Sequence, residues 1–426
     1  MKNIQKIGVS LVLVIAVSVL GSAQVVYKRM GVKGAGQNFA TAINNSGQVV
    51  INTGTATSSN VSLWNWSSGF SDLGLANIGA NGLAVNNSGL VVGAGTPSGS
   101  LNQEGFVYQS NSGLQWLGSL GSGMSMANSV NNSGTAVGLS YTADFFQHAF
   151  LWTQGGGMQD ITPDVISVGG VTAMGINSSN QVVGYYFPNG ATDTVGFSWT
   201  QSGGRQDIGP AGTLALAVND AGTIVGSSPN ANGFRHAFIW TPTKGMKDLG
   251  TLGGSQSTAL SVNSKGWVVG TSMTSTGNGL LHGFLWTPTG GMKDLVTVAG
   301  LGKALQPVSV QINDFGVIAV STNNSVTTLI PIMDLTVASS VNPSKVGKPV
   351  TFTATMSSFA GAPPNGDIVT FQSGSQILGT ATLTNGVAQL TTTALTVGTR
   401  TIVVKFPGDP NYLPAKSPAL TQIVTN

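Results

Sequence analysis

The feature that most limits how this chain can fold is a segment it keeps repeating. Residues 236–254 read HAFIWTPTKGMKDLGTLGG, and HGFLWTPTGGMKDL returns at 282–295, HAFLWTQGGGMQDI at 148–161 and VGFSWTQSGGRQDI at 195–208. Eroded copies lie at 104–117 and 60–73. Between copies runs a second motif, A-V-N-N-S-G-x-V-V-G. Its asparagine measures the unit: Asn44, Asn86, Asn131, Asn177, Asn219, Asn263 and Asn313, at intervals of 42, 45, 46, 42, 44 and 50 residues. A unit repeated with such a period cannot bury its apolar face alone, so neighbours must cover it. Seven anchors give seven units.

Each unit contains four short β-patterned runs. In the sixth they fall at 259–263, 267–272, 282–287 and 292–295, rich in Val, Leu, Phe and Trp and bounded by Gly, Asn or Ser. No segment holds helical spacing over the ~11 residues that a helix assignment needs. The first link ends on Gly47, Gly89, Gly134, Gly222 or Gly266, with Asn180 at that place in unit four. A short hairpin loop needs a left-handed residue there, which Gly adopts best and Asn next best. These asparagines and glycines therefore read as turn chemistry rather than as a ligand loop.

The second run carries Gly93, Gly138, Gly184, Gly226 and Gly270, which marks close backbone approach. The third is aromatic, with Phe106 and Tyr108, Phe150 and Trp152, Phe197 and Trp199, Phe238 and Trp240, Phe284 and Trp286. Narrow inner strands and bulky outer ones suit a wedge. Four-stranded wedges repeated seven times describe an all-β, seven-bladed β-propeller over residues 24–333. Solenoid coils are shorter, and the G-H and W-D marks of WD40 blades are missing. Residues 27–32 align with 246–251, a fourth strand, so the mature chain should begin by completing the last blade and leave no free edge. Residues 333–335 are the alternative for that slot, and the sequence leaves the choice between the two open.

From 334 to 426 the pattern changes to Thr/Val alternation, with about seven runs separated by turns at Pro363–Gly366 and Thr384–Gly386. That is the pattern of an immunoglobulin-like sandwich. With no cysteine pair, its core is expected from Val350, Phe352, Val369, Phe371, Leu378, Leu390 and Val403.

The H-A-F-x-W-T motif followed by G-M-x-D-L-G-T-L-G-G resembles the HAF-repeat family of exported bacterial proteins, with His148, His236 and His282 heading full copies. The resemblance implies an extracellular repeat protein and brings no chemistry with it. Residues 398–412, with G-T-x-T-I-x-V-x-F-x-G-D-x-N-Y, resemble the bacterial Ig-like repeat of surface and adhesion proteins. Such modules act as spacers or docking units.

Residues 1–23 read as a secretory signal: Lys2 and Lys6, an apolar run over 7–20, then Gly21-Ser22-Ala23. The run is shorter than the ~18 apolar residues a membrane span uses, and no second one follows. Without it, 15 basic residues face 14 acidic ones, which gives no basic stripe for nucleic acid. Charged residues make up 7% of the chain, so Ser, Thr, Asn and Gly solvate the surface. The absence of cysteine excludes disulfides and thiolate metal sites.

The three histidines occupy one slot of different units, which does not converge them on a metal. Glu104 is the single glutamate, and Asp72, Asp160, Asp207, Asp248 and Asp294 recur at one strand end, leaving Glu104, Asp144, Asp164 and Asp193 as irregular acids. Asp367 and Asp409 read as turn acceptors rather than calcium ligands. No nucleophile elbow is present. No catalytic residue, cofactor or metal is therefore expected. Aromatics outside the repeat pattern are the candidate ligand-binding residues: Tyr141, Phe145 and Phe146 in unit three, Tyr185, Tyr186 and Phe187 in unit four. Neighbouring loops would join them into one patch on which sugar rings stack; the competing reading is local loop packing. The favoured function is a non-enzymatic secreted or cell-surface protein for adhesion or recognition, with an extracellular polysaccharide or surface protein as partner. The alternatives are a polysaccharide-active enzyme with an accessory Ig-like domain and a purely structural envelope protein. Oligomeric state is left open.

Overall fold

The computed structural model describes residues 26–32, 37–54, 59–165, 169–275, 280–301, 306–323 and 325–426. Residues 1–23, expected from sequence to be a secretory signal, lie outside them. Every unit forms one four-stranded antiparallel sheet, and seven such sheets follow one another along the chain. In the first blade the strands are Gln37–Ile43, Val49–Gly54, Ser59–Asn65 and Gly69–Asp72. In the sixth they are Gly253–Val262, Val268–Thr274, Leu281–Thr287 and Gly291–Asp294. The inner strand of that blade starts well before residue 259, the expected start, because the Gly253-Gly254 end of the repeat folds back beside Thr274 through a register shift. Asp294 then caps a single helical turn, Leu295–Val298, by accepting the Val296 N–H.

The turn glycines do what their position demands. Gly47, Gly89, Gly134, Gly222, Gly266 and Gly316 all have φ between 67° and 82°, and Asn180 substitutes at φ 59°. The second-strand glycines answer a different need. A Cβ on Gly93, Gly138, Gly184, Gly226 or Gly270 would lie 1.8–2.0 Å from a carbonyl oxygen of the inner strand. In these five blades the inner strand is also bulged three residues before the motif asparagine, at Leu83, Asn128, Met174, Leu216 and Leu260. Blade 1 keeps the same bulge at Thr41 opposite Ile51, and in blade 7, which has Val320 at the glycine position, the shift moves to Val308.

Apolar burial lies between blades rather than within them. Val137 and Ala149 of blade 3, for instance, pack with Ala173, Val182, Phe197 and Trp199 of blade 4. Each of the seven interfaces has its own such cluster. The motif asparagines tie the same interfaces with polar bonds. Asn44 donates its side-chain amide to the Asn86 carbonyl, Asn86 to Asn131, Asn131 to Asn177, Asn177 to Asn219, Asn219 to Asn263, Asn263 to Asn313, and Asn313 back to Asn44, all at 2.8–3.1 Å. The same residues organise their own turns through Oδ1, as Asn131 does by accepting from Ser133 and Thr135 N–H groups. Their sequence context, N-N-S-G, points only to that second task.

Tyr27–Val32 pairs antiparallel with Val326–Pro331 and completes blade 7. Met333 does not compete: Asp334–Ser339 pairs with Val350–Ser357 in the sandwich. The sandwich joins a three-stranded sheet to a larger one ordered Ser344–Lys345, Leu420–Thr425, Gly398–Phe406, Ile368–Ser373, Gln376–Thr382. Val350, Phe352, Val369 and Phe371 are in its core, with Leu378 and Leu390 partly buried against it. Val403 is not. In the strand that holds it, Ile402, Val404 and Phe406 point inward, and the period of two turns Val403 to the other face.

The sandwich sits against the asparagine face. Asn411 accepts from the Asn313 amide at 2.7 Å and donates to the Asn45 carbonyl at 2.9 Å. Phe359 stacks on Trp267 and meets Tyr27 edge-on, both with centroids 5.1 Å apart, and Phe315 meets Tyr412 edge-on. Lys265 Nζ donates to the Ala360 carbonyl. Burial pushes the Lys265 ammonium pKa down, with Asp314 opposing the shift.

Candidate functional site

Three arrangements carry polar or aromatic chemistry. The first is the recurrent histidine. His148 Nδ1 lies 2.7 Å from Asp160 Oδ2, His236 Nδ1 2.8 Å from Asp248, and His282 Nδ1 2.6 Å from Asp294. Each pair fastens the start of the third strand to the end of the fourth. The second carboxylate oxygen holds the next loop, at Thr162, Gly250 and Val296 N–H respectively. A His–Asp pair resembles half of a hydrolase triad, which needs a nucleophile on the far ring nitrogen. At His236 that nitrogen meets the Asn230 amide at 3.1 Å. The serines opposite are engaged elsewhere: Ser140 with Leu120 and Met124, Ser228 with Thr213, Ser272 with Leu252. The pairs are repeat hardware. Blade 1 replaces histidine with Asn60, bonded to Asp72, and in blade 4 the Tyr186 hydroxyl reaches Asp207 instead. Among the described residues no group of three or more His, Cys, Asp or Glu could hold a metal ion.

The second arrangement lies at the face opposite the asparagine turns, where second strands turn into third strands. Tyr185 and Phe187 meet edge-on with centroids 6.4 Å apart, and Phe187 packs down on Gly169. Tyr186 points the other way. It is 8% exposed, its ring lies under the Arg205 guanidinium, and burial together with Asp207 raises its hydroxyl pKa. In blade 3 the Tyr141 hydroxyl bonds Gln147, whose amide bridges to Val171 and Thr172 of blade 4. Thr172 faces Tyr185 across the sheet, so the two aromatic groups are braced on one interblade link. Phe145 and Phe146 cap the adjoining turn. Phe145 is 74% exposed with φ 61°.

That backbone angle is uncommon for a bulky residue and costs ~1–3 kcal/mol. Blade 5 makes the same turn, with Asn230 N bonded to Phe234 O and Gly233 N to Asn230 O, but places Gly233 at the left-handed position. In blade 3, Thr142 N bonds Phe146 O and Phe145 N bonds Thr142 O. Exposed apolar residues extend along this rim to Leu101 of blade 2, Phe234 of blade 5 and Leu280 of blade 6. Gln147 and this wider rim were not singled out from sequence. The bridging glutamine has no sequence signature, and single exposed apolar residues in loops have none either.

The third arrangement is a pair of carboxyls in the sandwich. Asp409 organises its loop by accepting the Asn411 and Tyr412 N–H groups at 2.8 and 2.6 Å, the turn role expected of it. Burial pushes its carboxyl up to about 6, and burial also raises Asp367 beside it.

Residues 336–425 match the family model of the bacterial Ig-like domain (group 3). No curated protein matches the chain. Among solved structures, the chain is similar to streptogramin B lyase, at 13% identity over 73% of this chain and 100% of that one, with TM-score 0.47. It is also similar to the tricorn protease, at 11% identity over 87% of this chain and 42% of that one, TM-score 0.38. A third is the extracellular domain of a protein described as a hybrid two-component system from B. thetaiotaomicron, at 9% identity, 93% and 58% coverage and TM-score 0.41. At these scores the propeller architecture rests on the seven sheets and the asparagine ring themselves.

Proposed function

We propose that this is a non-enzymatic extracellular recognition protein of the HAF-repeat type, which binds a neutral polysaccharide on the rim of blades 3 and 4. The observation that carries the reading is Phe145. The fold gains nothing from a strained, exposed phenylalanine at a turn where a sister blade uses glycine, and strain kept without folding benefit points to use. Around it, Tyr185, Phe187 and Phe146 offer flat apolar faces of the kind that stack on the C–H faces of sugar rings. The scarcity of charge favours an uncharged partner. The Ig-like module occupies the opposite, asparagine face and leaves this rim clear, an arrangement suited to holding the protein by one side while the other engages a chain. Leu101, Phe234 and Leu280 would extend contact along a polymer.

The test is a glycan array and an insoluble-polysaccharide pull-down with the mature chain and two variants. Phe145→Gly should keep or raise stability while losing retention, and Tyr185→Ala should weaken it. Retention unchanged in a combined Phe145→Gly, Phe146→Ala, Tyr185→Ala protein would overturn the reading. Retention lost only when the Ig-like module is removed would move recognition to that module.

A further inference from the structure

The β-bulges of the inner strands have a second consequence. A bulge re-aims the side chain of its extra residue, and in blades 1 to 6 that residue is Thr41, Leu83, Asn128, Met174, Leu216 and Leu260. All six line one cavity of about 340 Å³ on the propeller axis. The position that follows each bulge is small (Ala42, Ala84, Ser129, Gly175, Ala217, Ser261), so the space beside the bulged side chains stays open. In each of these six units a small residue, then Val or Ile, then the motif asparagine follow the bulge, while the bulged side chain itself ranges from Thr and Asn to Leu and Met.

The lining is divided. Met174, Leu216 and Leu260 make blades 4, 5 and 6 an apolar wall, and Leu83 of blade 2, between Thr41 and Asn128, is a fourth apolar side chain of the lining. Blade 7, where the bulge is displaced, contributes Ser309 and Gln311 instead. Thr41 and Asn128 already donate to the Gly82 and Ala173 carbonyls of the next blade. The hydroxyl of Ser309 and the amide of Gln311 have no such partner among the described residues. No charged side chain lines the cavity, and a charged ligand would lose its hydration there without compensation. Its volume lies at the small end of ligand pockets, ~300–1,000 Å³.

We propose that this axial cavity is a second binding site, built for a small uncharged amphiphile whose apolar body lies against Met174, Leu216 and Leu260 and whose single hydrogen-bonding end meets Gln311 and Ser309. It is independent of the aromatic rim.

The probe is N-phenyl-1-naphthylamine, an uncharged two-part aromatic with one N–H, whose fluorescence rises in apolar surroundings. Titrated into the mature chain it should saturate at one probe per chain. Leu216→Trp, which fills the cavity, should abolish the saturable signal, and Met174→Trp should repeat that result from another blade. Gln311→Leu should weaken binding about five-fold, as loss of one neutral hydrogen bond would. Phe145→Gly should leave probe binding unchanged, which separates this site from the rim. Absence of saturable binding, or equal affinity in both tryptophan variants with unaltered circular dichroism, would overturn the proposal.

Discussion

If the asparagine ring holds blades together, Asn131→Asp should be nearly as damaging as deletion of the side chain. The substitution preserves shape and leaves every acceptor contact available, because Oδ1 of Asn131 accepts from Ser133 N–H, Ser133 hydroxyl and Thr135 N–H at 2.7–3.1 Å. A residue needed only for its turn would tolerate aspartate. What aspartate removes is the amide that donates to Asn177 O at 3.0 Å and Asn180 Oδ1 at 2.7 Å. Two neutral hydrogen bonds contribute about 2 kcal/mol together, and the carboxylate oxygen that replaces the amide, buried with no donor, costs ~1–3 kcal/mol more. The expected loss is therefore ~3–5 kcal/mol at a site only 4% exposed.

Burial and the two facing oxygens raise the introduced carboxyl above its unfolded value. The penalty is thus fully present above the raised value and shrinks as pH falls through it, when the acid proton can donate to Asn177 O. Urea unfolding followed by tryptophan fluorescence, at about pH 7 and about pH 4.5 with the native sequence as reference at each, measures both effects. Asn132→Asp is the control. Asn132 is exposed and acts as an acceptor, for the Asn87 N–H, so it should change stability by less than about 0.5 kcal/mol. Asn131→Asp as stable as the native chain at neutral pH would refute the ring as a stabilising device.

Gly184→Ala would put a Cβ 2.0 Å from the Thr172 carbonyl oxygen and should cost ~2–3 kcal/mol, whereas Gly155→Ala meets nothing within 4 Å and should be near neutral, both read by thermal unfolding. Tyr27 is 1% exposed and its hydroxyl donates to Gly316 O at 2.9 Å; Tyr27→Phe should cost about 1 kcal/mol and Tyr27→Ala ~3–5 kcal/mol in the same assay. The Asp409 carboxyl has a folded value of about 6, above that of an unfolded aspartate, so its contribution is intact below the unfolded value and declines as pH rises through about 6. A pH series of unfolding curves should show that decline, and Asp409→Asn should flatten it.

The repeat number, the turn glycines, the second-strand glycines and the clasp by Tyr27–Val32 were all legible because each is a local rule copied several times. What escaped reading depends on distance. The His–Asp partners are twelve residues apart and both recur in the repeat, yet nothing in strand patterning says that a third-strand start meets a fourth-strand end. The amide of Asn44 finds its acceptor 42 residues on, in another blade, so its sequence context advertises only the turn. Val403 was misplaced because Ile402, Val403 and Val404 are all apolar, and a run without alternation does not give its own phase. The docking of Asn411 between Asn313 and Asn45 joins residues from three regions of the chain, and no motif marks such a meeting. The aromatic candidates divide for the same reason: Tyr185 and Tyr186 are adjacent in sequence, and the strand sends one outward and the other in.

Open arrays of repeats grow or shrink by whole units, since each copy touches only its neighbours and a new one merely lengthens the stack. Here the first strand and the last sheet are bonded to each other, and Asn313 hands its amide back to Asn44. Duplicating or deleting one module would force every remaining wedge to a new angle and break both joints together. Copy number is consequently fixed by ring closure, and the units of this chain differ where closure leaves them free, in the loops and in the bulged slot of blades 1 to 6.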